Sequence, residues 1–419
     1  MRILFALHQF FPLHHTGTER FTLDLAKQLQ RMGHFVTVLT YEPSHLIAHS
    51  KDKKFLFNAS PKTENEGFKP VSGSKTLLKK QYQIESVPVI SFKHKTTVLG
   101  FELFDHEFHE PLDEIISNFD LVHITHPMRF SEALKICKKQ KKPTVLTITD
   151  AWLLCPRGLL TSKKDLCHGP DEGNNCKLLC HYGNEIDTRY KDAKYFYENI
   201  DVIVSGSNFM RHVFYENGWT RKTLLNTFSV DYSYVKNIQP MENDKIVFCF
   251  IGTLSWHKGL HVLINAFSKI KNENIQLKIY GRGDETNPYI HYLEDLVNND
   301  KRIEFCGTFD YSELPNIMKD ISCVVIPSSY MENYPLVMQL ALAYHKPVIA
   351  SKIGGMPEVI QDGQNGYLFD IGQVSELSKI IQNISEKPSI ISELQDQIIS
   401  PPSVETEAFN YEQIYKNLL

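Results

Sequence analysis

The chain has 419 residues, a formal net charge of −4 and 42% hydrophobic residues. This length predicts two domains of about 200 residues each, and the composition is typical of a globular protein. The slight negative charge excludes an overall attraction to nucleic acid, so no nucleic-acid partner is expected.

The N-terminus predicts a strand and not a secretion signal. The segment MRILFALHQFFPLHH has one Arg, a short apolar run and no signal-peptide cleavage site. No run of about 18 apolar residues occurs, so no membrane span is expected. The expected location is the cytoplasm, with peripheral attachment to the inner face of the membrane as an alternative. The basic segment KICKKQKKP (135–143) would make that contact, although a solvated helix end is the favoured interpretation.

Strands and helices alternate in the first half of the chain. Strands are predicted at Ile3–Leu7 and Phe35–Tyr41, around a helix at Glu19–Met32 that is preceded by Gly17 and Thr18. Residues 44–115 are less regular and predict an elaborated edge of the sheet. Regular elements return in LVHITHP, SEALKICKKQ, PTVLTITDA and VIVSGSNFMRHVFYENG.

The second half repeats the alternation in KIVFCFIGTL, GLHVLINAFSKI, IQLKIYGRG, YIHYLEDLV, RIEFCGTF and SELPNIMKD. Such alternation predicts an α/β protein with two doubly wound parallel-sheet domains that face a central cleft. The predicted domains are 1–235 and 240–400, with the join in the polar segment 231–245. The last helix, 403–419, is expected to pack back on the N-terminal domain.

A single acid, Glu332, precedes an otherwise apolar helix. ISCVVIPSS predicts a buried strand before it, and KPVIAS predicts another strand after the helix. Pro335 fits the first turn of that helix, because its missing N–H would have no helical partner. Glu332 is therefore expected at the carboxyl end of a parallel strand, where open α/β sheets bind their ligands.

Two helix N-termini in the second half predict an anionic ligand. The segment GTLSWHKGLHVLI ends a strand at Gly252 and begins a helix after Lys258, and ENYPLVM begins the second helix. A helix N-terminus offers free N–H groups and a partial positive charge, to which a lysine adds a full charge. With Gly17 and Thr18 from the other domain, these features favour an anion in the cleft.

Along nearly its whole length the sequence resembles glycosyltransferase family 4, whose members are retaining enzymes with two Rossmann-like domains, the GT-B fold. The matching stretches, in order, are GTERFTLDLAKQLQRMGHFVTVLT, VIVSGSNFMRHVFYENG, FIGTLSWHKGLHVLINAF, YGRGD, FCGTF, VVIPSSYMENYPLV and KPVIASKIGGMPEVIQDGQNGYLF.

The resemblance implies transfer of a sugar, with retention, from a UDP- or GDP-linked donor to a glycan or lipid-linked acceptor in surface polysaccharide biosynthesis. It implies that Lys258 and the amides of Leu336 and Val337 hold the donor diphosphate. Glu332 would contact the donor sugar. The implied donor-binding residues are Gly17, Thr18, Gly252, Thr253, Lys258, Gly281, Arg282, Thr308, Asn333, Tyr334, Leu336 and Val337. No catalytic metal is expected, because helix N-termini and basic side chains supply the positive field.

Two donor-side positions depart from the family pattern. Leu340 stands where the family has a second glutamate, eight positions after the first, that binds the ribose hydroxyls. Thr253 stands where the family has an arginine that contacts the diphosphate. These departures favour an alternative: a catalytically impaired homologue that binds a nucleotide or a partner transferase.

The acceptor side has Thr149-Asp150 where the family often has His-Asp. Asp150 is a catalytic candidate that would orient an acceptor hydroxyl, with a turn residue before Trp152 as the alternative. His126, at the end of the neighbouring strand, is the second candidate, with a solvated loop-end histidine as the alternative.

Four of the eight cysteines lie in the Gly- and Asn-rich segment 155–181, namely Cys155, Cys167, Cys176 and Cys180. In a reducing cytoplasm this clustering favours a metal over disulfides. The leading interpretation is a structural zinc held by four thiolates, although the spacing is looser than that of a zinc finger. Disulfides and unlinked thiols are the alternatives. The other four cysteines fit helix or strand patterns and are expected in the core.

Overall fold

The computed structural model describes residues 1–14, 16–42, 67–95, 101–162, 165–231, 245–283 and 286–419. The chain forms two compact units. Unit 1 comprises Met1–Thr227 and Val404–Leu419, and unit 2 comprises Phe228–Ser403. The segment 231–245, where the join was predicted, falls largely outside the described residues.

Unit 1 is built on a nine-stranded sheet. Its strands are β1 (Arg2–Leu7), β2 (Phe35–Tyr41), β3 (Lys69–Pro70), β4 (Leu77–Ile84), β5 (Val87–His94), β6 (Leu121–Ile124), β7 (Thr144–Ile148), β10 (Val202–Ser205) and β11 (Thr223–Leu225), while β8 (Thr161–Ser162) and β9 (Asp165–Leu166) form a separate hairpin. The order in the sheet is β11-β10-β7-β6-β1-β2-β5-β4-β3. Its pairs are parallel except β3–β4 and β4–β5.

The helices of unit 1 include the one predicted after the first strand. The unit's helices are α1 (Gly17–Arg31), α2 (His109–Ile116), α3 (Glu132–Gln140), α4 (Asn174–Cys180), α5 (Glu185–Asn199), α6 (Asn208–Glu216) and α13 (Val404–Lys416). In the predicted irregular stretch 44–115, the described part contains the antiparallel strands β3–β5 at the edge of the sheet and most of α2. Residues 43–66 and 96–100 lie outside the described residues.

Unit 2 has a six-stranded parallel sheet. Its elements are β12 (Ile246–Ile251), α7 (Leu260–Phe267), β13 (Ile275–Tyr280), α8 (Pro288–Val297), β14 (Ile303–Gly307), α9 (Leu314–Asp320), β15 (Cys323–Ile326), α10 (Leu336–Ala343), β16 (Val348–Ser351), β17 (Gly366–Phe369), α11 (Val374–Glu386) and α12 (Ser389–Gln395). The order in the sheet is β14-β13-β12-β15-β16-β17. Side chains from the strands and from α7 and α11 form one apolar core. The prediction of two parallel-sheet α/β domains is confirmed.

The sheet of unit 2 changes its winding direction between β12 and β15. From β12 the chain proceeds outward to β13 and β14, and it then returns to place β15 on the other side of β12. Loops at the carboxyl ends of two strands that diverge in this way leave a crevice, which is the usual ligand site of doubly wound sheets. The loops after β12 and β15 carry Lys258 and Glu332, respectively.

Helix α13 completes the core of unit 1. The hydroxyl of Tyr415 lies 2.7 Å from Nδ1 of His123, on β6. Tyr411 is 2.8 Å from the hydroxyl of Thr147, which is itself 2.7 Å from Nε2 of His123. Burial lowers the pKa of His123 to about 3, so this ring is neutral near pH 7 and suits a core of hydroxyl partners.

No helix in the described part of the chain is long and apolar enough to cross a bilayer. In the basic segment 135–143, Lys139 forms an ion pair with Asp113 at 3.0 Å. Lys142 donates to the backbone carbonyl of Phe119 at 2.7 Å. Peripheral membrane contact by this segment stays a prediction.

Candidate functional site

Glycines bring the loops after β12 and β15 into close contact. Gly259 has a φ of +72°, and a Cβ built on it would lie 1.8 Å from the carbonyl oxygen of Pro327, at the end of β15. The amide of Ser329 donates to the carbonyl of His257 at 2.8 Å. Only a residue without a side chain allows this approach, which fixes the position of the neighbouring Lys258.

Lys258 and Glu332 form the centre of the site in unit 2. Nζ of Lys258 lies 2.7 Å from Oε1 of Glu332. The same carboxylate accepts hydrogen bonds from Ser328 Oγ at 2.8 Å and from Tyr330 OH at 2.6 Å. Nζ of Lys258 also donates to Tyr330 OH at 3.0 Å. We call these four residues the charged network.

The backbone of Glu332 is held as firmly as its side chain. Its carbonyl oxygen accepts the N–H of Gly355 at 2.9 Å. A Cβ on Gly354, whose φ is +65°, would lie 2.0 Å from that oxygen. The Gly-Gly loop after β16 therefore packs directly on Glu332, which gives the glycine pair a structural role at this site.

The charged network stabilises both ionised forms. Burial alone would lower the pKa of Lys258, but the charge of Glu332 and the hydroxyl of Tyr330 raise it above its ordinary value. Burial would raise the pKa of Glu332, but Lys258 and the bonds from Tyr330 and Ser328 hold it below its ordinary value. A cation and a carboxylate thus coexist, with the side chain of Glu332 only 8% exposed and that of Lys258 27% exposed.

Helix α10 begins just after Glu332 and presents its N-terminus there. Pro335 is the residue before the helix and not part of its first turn as predicted, and its carbonyl accepts the N–H of Met338 at 3.1 Å. Leu336 and Val337 are the first two helical residues, so their N–H groups have no acceptor within the helix. Asn333 and Tyr334, between Glu332 and Pro335, are both buried.

The helix buries the position of the absent second glutamate. Leu340 is 6% exposed. The preceding Gln339 is fully buried, and its amide atoms have no hydrogen-bond partner among the described residues. The side chain at position 340 therefore packs as part of an apolar helix in this structure.

The remaining donor-side candidates lie at the same edge of the sheet. Gly252 and Thr253 follow β12, Gly281 and Arg282 follow β13, and Thr308 follows β14. A Cβ on Gly281 would lie 1.8 Å from the carbonyl oxygen of Gly252, so β12 and β13 end in close backbone contact. Thr253, Arg282 and Thr308 are exposed. Their predicted donor contacts remain predictions.

A second group of polar side chains forms in unit 1, at the ends of β6 and β7. Nε2 of His126 lies 3.3 Å from Oδ2 of Asp150. The amide of Met128 donates to Nδ1 of His126 at 3.3 Å, so Nδ1 is an acceptor and the ring proton is on Nε2. His126 therefore donates to Asp150 and orients it.

The two acceptor-side candidates differ in exposure. The side chain of His126 is 2% exposed and that of Asp150 is 41% exposed, so the alternative of a solvated loop-end histidine is wrong. Asp150 also accepts the amide of Trp152 through Oδ1 at 2.8 Å, which is the turn role considered as its alternative. The side chain of Asp150 is thus held by His126 and Trp152 while it remains 41% exposed.

Gly17 and Thr18 are the first residues of α1 in unit 1. A Cβ on Gly17 would meet nothing within 4 Å, so folding of unit 1 alone does not require glycine there. Glu19, in the first turn, accepts the amide of Thr16 at 2.9 Å and thereby caps the helix.

The four clustered cysteines are reduced and lie near one another. Each thiol is in electrostatic range of the other three, and none forms a disulfide. Burial, and then the neighbouring thiols, raise the pKa of Cys176 to about 12. Within the described ranges, no three His, Cys, Asp or Glu side chains are placed so that they could hold a metal ion as they stand. Zinc at these cysteines stays a prediction.

Three residues of these sites were not predicted from the sequence. Ser328 and Tyr330 bind Glu332, and their only signal was their position between the strand and the acid. His8 directly follows β1, and the centroid of its ring lies 3.9 Å from the ring centroid of His126. Burial, and then the charge of His126, lower the pKa of His8 well below its ordinary value.

The architecture and the site geometry together define a class, that of two-domain α/β proteins with the GT-B fold. Anabaena HepE, solved in complex with UDP, matches 100% of this chain and 100% of its own with a TM-score of 0.69 at 17% identity. A further structure of HepE contains UDP-glucose. At this identity the likeness establishes the fold.

Two family models match most of the chain. "Glycosyltransferase Family 4" matches residues 15–223, and "Glycosyl transferases group 1" matches residues 235–400. The chain belongs to this glycosyltransferase family, as its sequence motifs predicted.

Curated relatives agree with the family. An uncharacterized glycosyltransferase of Methanocaldococcus jannaschii is 31% identical over 56% of this chain and 63% of its own length. Spore coat protein SA of Bacillus subtilis is 27% identical over 81% of this chain and 93% of its own length. A lipopolysaccharide 1,2-N-acetylglucosaminetransferase of Salmonella typhimurium is 25% identical over 58% of this chain and 68% of its own length. In two further relatives the match spans only 32% and 31% of their length.

Proposed function

We propose that the protein is a retaining glycosyltransferase. It moves a sugar from a UDP- or GDP-linked donor to a glycan or lipid-linked acceptor in surface polysaccharide biosynthesis. The observation that carries the proposal is the Lys258–Glu332 pair at the switch point of the unit 2 sheet, beside the N-terminus of α10. It combines a cation and free amides for a diphosphate with a carboxylate for sugar hydroxyls.

The charges of the site suit a diphosphate leaving group. As the bond from the anomeric carbon to the diphosphate oxygen breaks, its electron pair stays on that oxygen. Lys258 and the amides of Leu336 and Val337 stabilise the resulting charge. The acceptor hydroxyl oxygen bonds to the anomeric carbon on the face that the diphosphate leaves, and its proton passes to the departing phosphate. Retention then requires no protein nucleophile, and none is assigned.

Binding of the donor changes the partners of Glu332. Without a donor, Lys258 is neutralised by that carboxylate. A diphosphate offers Lys258 a second anion, so Glu332 gains capacity to accept hydroxyls from the donor sugar. Tyr330 and Ser328 continue to hold Glu332 in place during this exchange.

Asp150 is the proposed acceptor-binding carboxylate, with His126 as the residue that positions it. A half-exposed carboxylate oxygen can accept the acceptor hydroxyl and align it for attack. Support for a surface glycan comes from the Salmonella relative, which is named as a lipopolysaccharide transferase. UDP in HepE supports a nucleotide-linked donor.

A separate observation supports one alternative function. Leu340 is buried where a ribose-binding glutamate is expected, which favours a homologue that binds a nucleotide or a partner transferase without catalysing transfer. Donor binding without hydrolysis or transfer is the result that distinguishes this alternative.

The test is an assay of hydrolysis and transfer with a panel of UDP-, GDP- and other nucleotide sugars. We expect one donor to release nucleoside diphosphate, and release to accelerate with a matching glycan or lipid-linked acceptor. Nuclear magnetic resonance of the product should find the anomeric configuration of the donor. Glu332→Gln, which keeps the shape of the side chain, is the control and should lose turnover. Binding of a donor with no turnover under any condition would refute the enzyme and favour the alternative.

A further inference from the structure

A small polar pocket lies in unit 1, between strands β2, β4 and β5 and the segment that follows β1. Segment 10–14 covers one side of it, and Thr40, Glu42, Tyr82 and Ser91 line the other side. The hydroxyl of Tyr82 donates to a backbone carbonyl of the covering segment at 2.6 Å and thereby ties that segment to the sheet. We call this space the hydroxyl pocket.

Two buried hydroxyl groups of the pocket have no hydrogen-bond partner. Thr40 is 2% exposed and Ser91 is 1% exposed, and neither hydroxyl has a partner among the residues that the structure describes. The two residues are paired across β2 and β5, so their side chains lie side by side on one face of the sheet. A buried hydroxyl without a partner costs free energy, so this pair predicts a polar occupant.

The size of the pocket limits that occupant. Including its mouth the pocket measures about 200 Å³, and its interior has room for about one water molecule. The interior therefore accepts either a water molecule or a single hydroxyl group of a ligand whose remaining part lies outside. Pro12 and Leu13 are exposed residues of the covering segment and offer apolar contact to such a part.

The lining favours a hydroxyl group over an ion. Glu42 is 7% exposed, and its Oε2 lies 2.5 Å from Nζ of Lys80. The carboxylate disfavours an anion, and because Lys80 balances its charge it attracts a cation only weakly. The hydroxyls of Thr40 and Ser91 can each donate and accept, as can the hydroxyl of a sugar. One sugar hydroxyl can thus satisfy both by donating to one and accepting from the other.

The hydroxyl pocket and Asp150 lie three strand positions apart. Strands β7, β6, β1 and β2 are neighbours in that order, Asp150 follows β7, and Thr40 is close to the end of β2. With about 4.8 Å between neighbouring strands, the two places are about 14 Å apart along the same edge of the sheet. This distance exceeds the length of one sugar ring. A glycan whose reacting hydroxyl is at Asp150 therefore reaches the pocket with a different ring.

We propose that the hydroxyl pocket binds one hydroxyl group of an acceptor oligosaccharide, on a ring that does not react. The inference rests on the proposed transferase function and specifies an acceptor longer than a monosaccharide. The bound hydroxyl takes the place of solvent and forms hydrogen bonds with Thr40 and Ser91. Binding of this remote ring holds the acceptor and helps to align its reacting hydroxyl.

The first test measures binding without a donor. The unaltered full-length protein is titrated with mono-, di-, tri- and tetrasaccharides of hexoses and N-acetylhexosamines, and binding is followed by saturation-transfer nuclear magnetic resonance. We expect at least one oligosaccharide to bind. The double variant Thr40→Val/Ser91→Ala should bind it about tenfold more weakly, because two hydrogen bonds are lost. Equal affinity in the two proteins, or no binding of any oligosaccharide by the unaltered protein, would overturn the proposal.

Thr37→Val is the matched control for this experiment. Thr37 is on the same strand as Thr40 but three positions away, so its side chain points to the opposite face, and its variant should bind like the unaltered protein. The double variant replaces unpartnered hydroxyls with apolar groups of similar shape, so its fold should persist. If it does not fold, Ser91→Ala alone repeats the test and should weaken binding about threefold. An equal loss of affinity in Thr37→Val would overturn the proposal.

Steady-state transfer separates this proposal from the proposed function. With an oligosaccharide acceptor, the double variant should raise the acceptor KM about tenfold, whereas donor KM and donor hydrolysis should not change. A monosaccharide glycoside should show no such increase, and an equal increase would contradict binding of a remote ring. Oligosaccharide binding without turnover would refute the enzyme but not the pocket. Turnover with an unchanged acceptor KM would refute the pocket alone.

Discussion

The two groups of polar side chains are held in different ways. In unit 2, Glu332 is fixed by three side-chain bonds of 2.6–2.8 Å and by glycines packed on its backbone. In unit 1, Asp150 is joined to His126 by a bond of 3.3 Å and is 41% exposed. The first arrangement suits tight recognition of a charged donor, and the second suits acceptors that differ in shape. The carboxylate with more hydrogen bonds, Glu332, is thus the one proposed to bind the donor, and the more exposed Asp150 is the one proposed to bind the acceptor.

Removal of the cation should have the largest effect. Lys258→Met should lower kcat/KM about a thousandfold, because a fixed positive charge at a developing diphosphate is worth about 10²–10³ in rate, and donor binding is weakened as well. Calorimetry with nucleoside diphosphate measures the loss of binding, and steady-state assays measure the loss in rate. Lys278→Met is the control, since Lys278 is also a partly buried lysine of unit 2, paired with Asp320 at 3.5 Å. Equal donor affinity in both variants would remove Lys258 from the site.

Restoring the family's second acid tests whether position 340 still belongs to the site. Leu340→Glu should lower the free energy of unfolding by about 2 kcal/mol or more, because it buries a carboxyl group without a partner. We expect no gain in donor affinity. Leu340→Met, which conserves volume, should cost less than about 1.5 kcal/mol. A stable Leu340→Glu protein with a lower donor KM would instead place the new carboxylate at the ribose.

On the acceptor side, Asp150→Asn should lower kcat about a hundredfold, because it weakens the hydrogen bond that aligns the acceptor hydroxyl for attack. The amide oxygen can still accept the N–H of Trp152, so the turn should persist, whereas the amide NH2 then faces the Nε2–H of His126 and that bond is lost. Nucleotide affinity should not change. Asp187→Asn, at a side chain of similar exposure (40%) in the same unit, is the control. A loss of nucleotide affinity in Asp150→Asn would contradict the separation of donor and acceptor roles.

The smallest effect on nucleotide binding is expected from the backbone contact at Gly259. Gly259→Ala and Gly307→Ala both introduce a side chain at positive φ, but only Gly259 meets a backbone carbonyl, at 1.8 Å, while Gly307 meets nothing within 4 Å. Gly307→Ala should cost about 1–2 kcal/mol of stability. Gly259→Ala should cost more and should also weaken nucleotide binding several-fold, because Lys258 must move. Equal effects from the two variants would show that the close contact does not position the lysine.

The sequence was sufficient for the architecture, because buried parallel strands and amphipathic helices leave strong periodic signals. Both ends of β2 (Phe35–Tyr41) agree with the predicted strand. Motif spacing likewise located Lys258 and Glu332 at strand ends. Their direct contact was not predicted, since it depends on Gly259 approaching Pro327 across a crossover of the sheet. Ser328, Tyr330 and His8 had no signal beyond their positions near strand ends, because a hydroxyl or imidazole there has no periodicity.

Pro335 illustrates the limit at element boundaries. Its ring is compatible both with the first turn of a helix and with the residue before it, and the structure has the latter, with ψ at 123°. The sequence also did not predict that Asp150 is exposed and that His126 is buried, because both residues follow buried strands in similar local sequence.

The chain order of unit 1 has a consequence for folding during synthesis. Unit 2 is one continuous stretch, Phe228–Ser403, whereas unit 1 needs the last residues, Val404–Leu419. Until α13 leaves the ribosome, His123 and Thr147 lack the hydroxyls of Tyr411 and Tyr415 that complete their hydrogen bonds. Domains at the start of a chain usually fold first. In this chain the core of unit 1 is completed last, after the whole sequence of unit 2 has been synthesised.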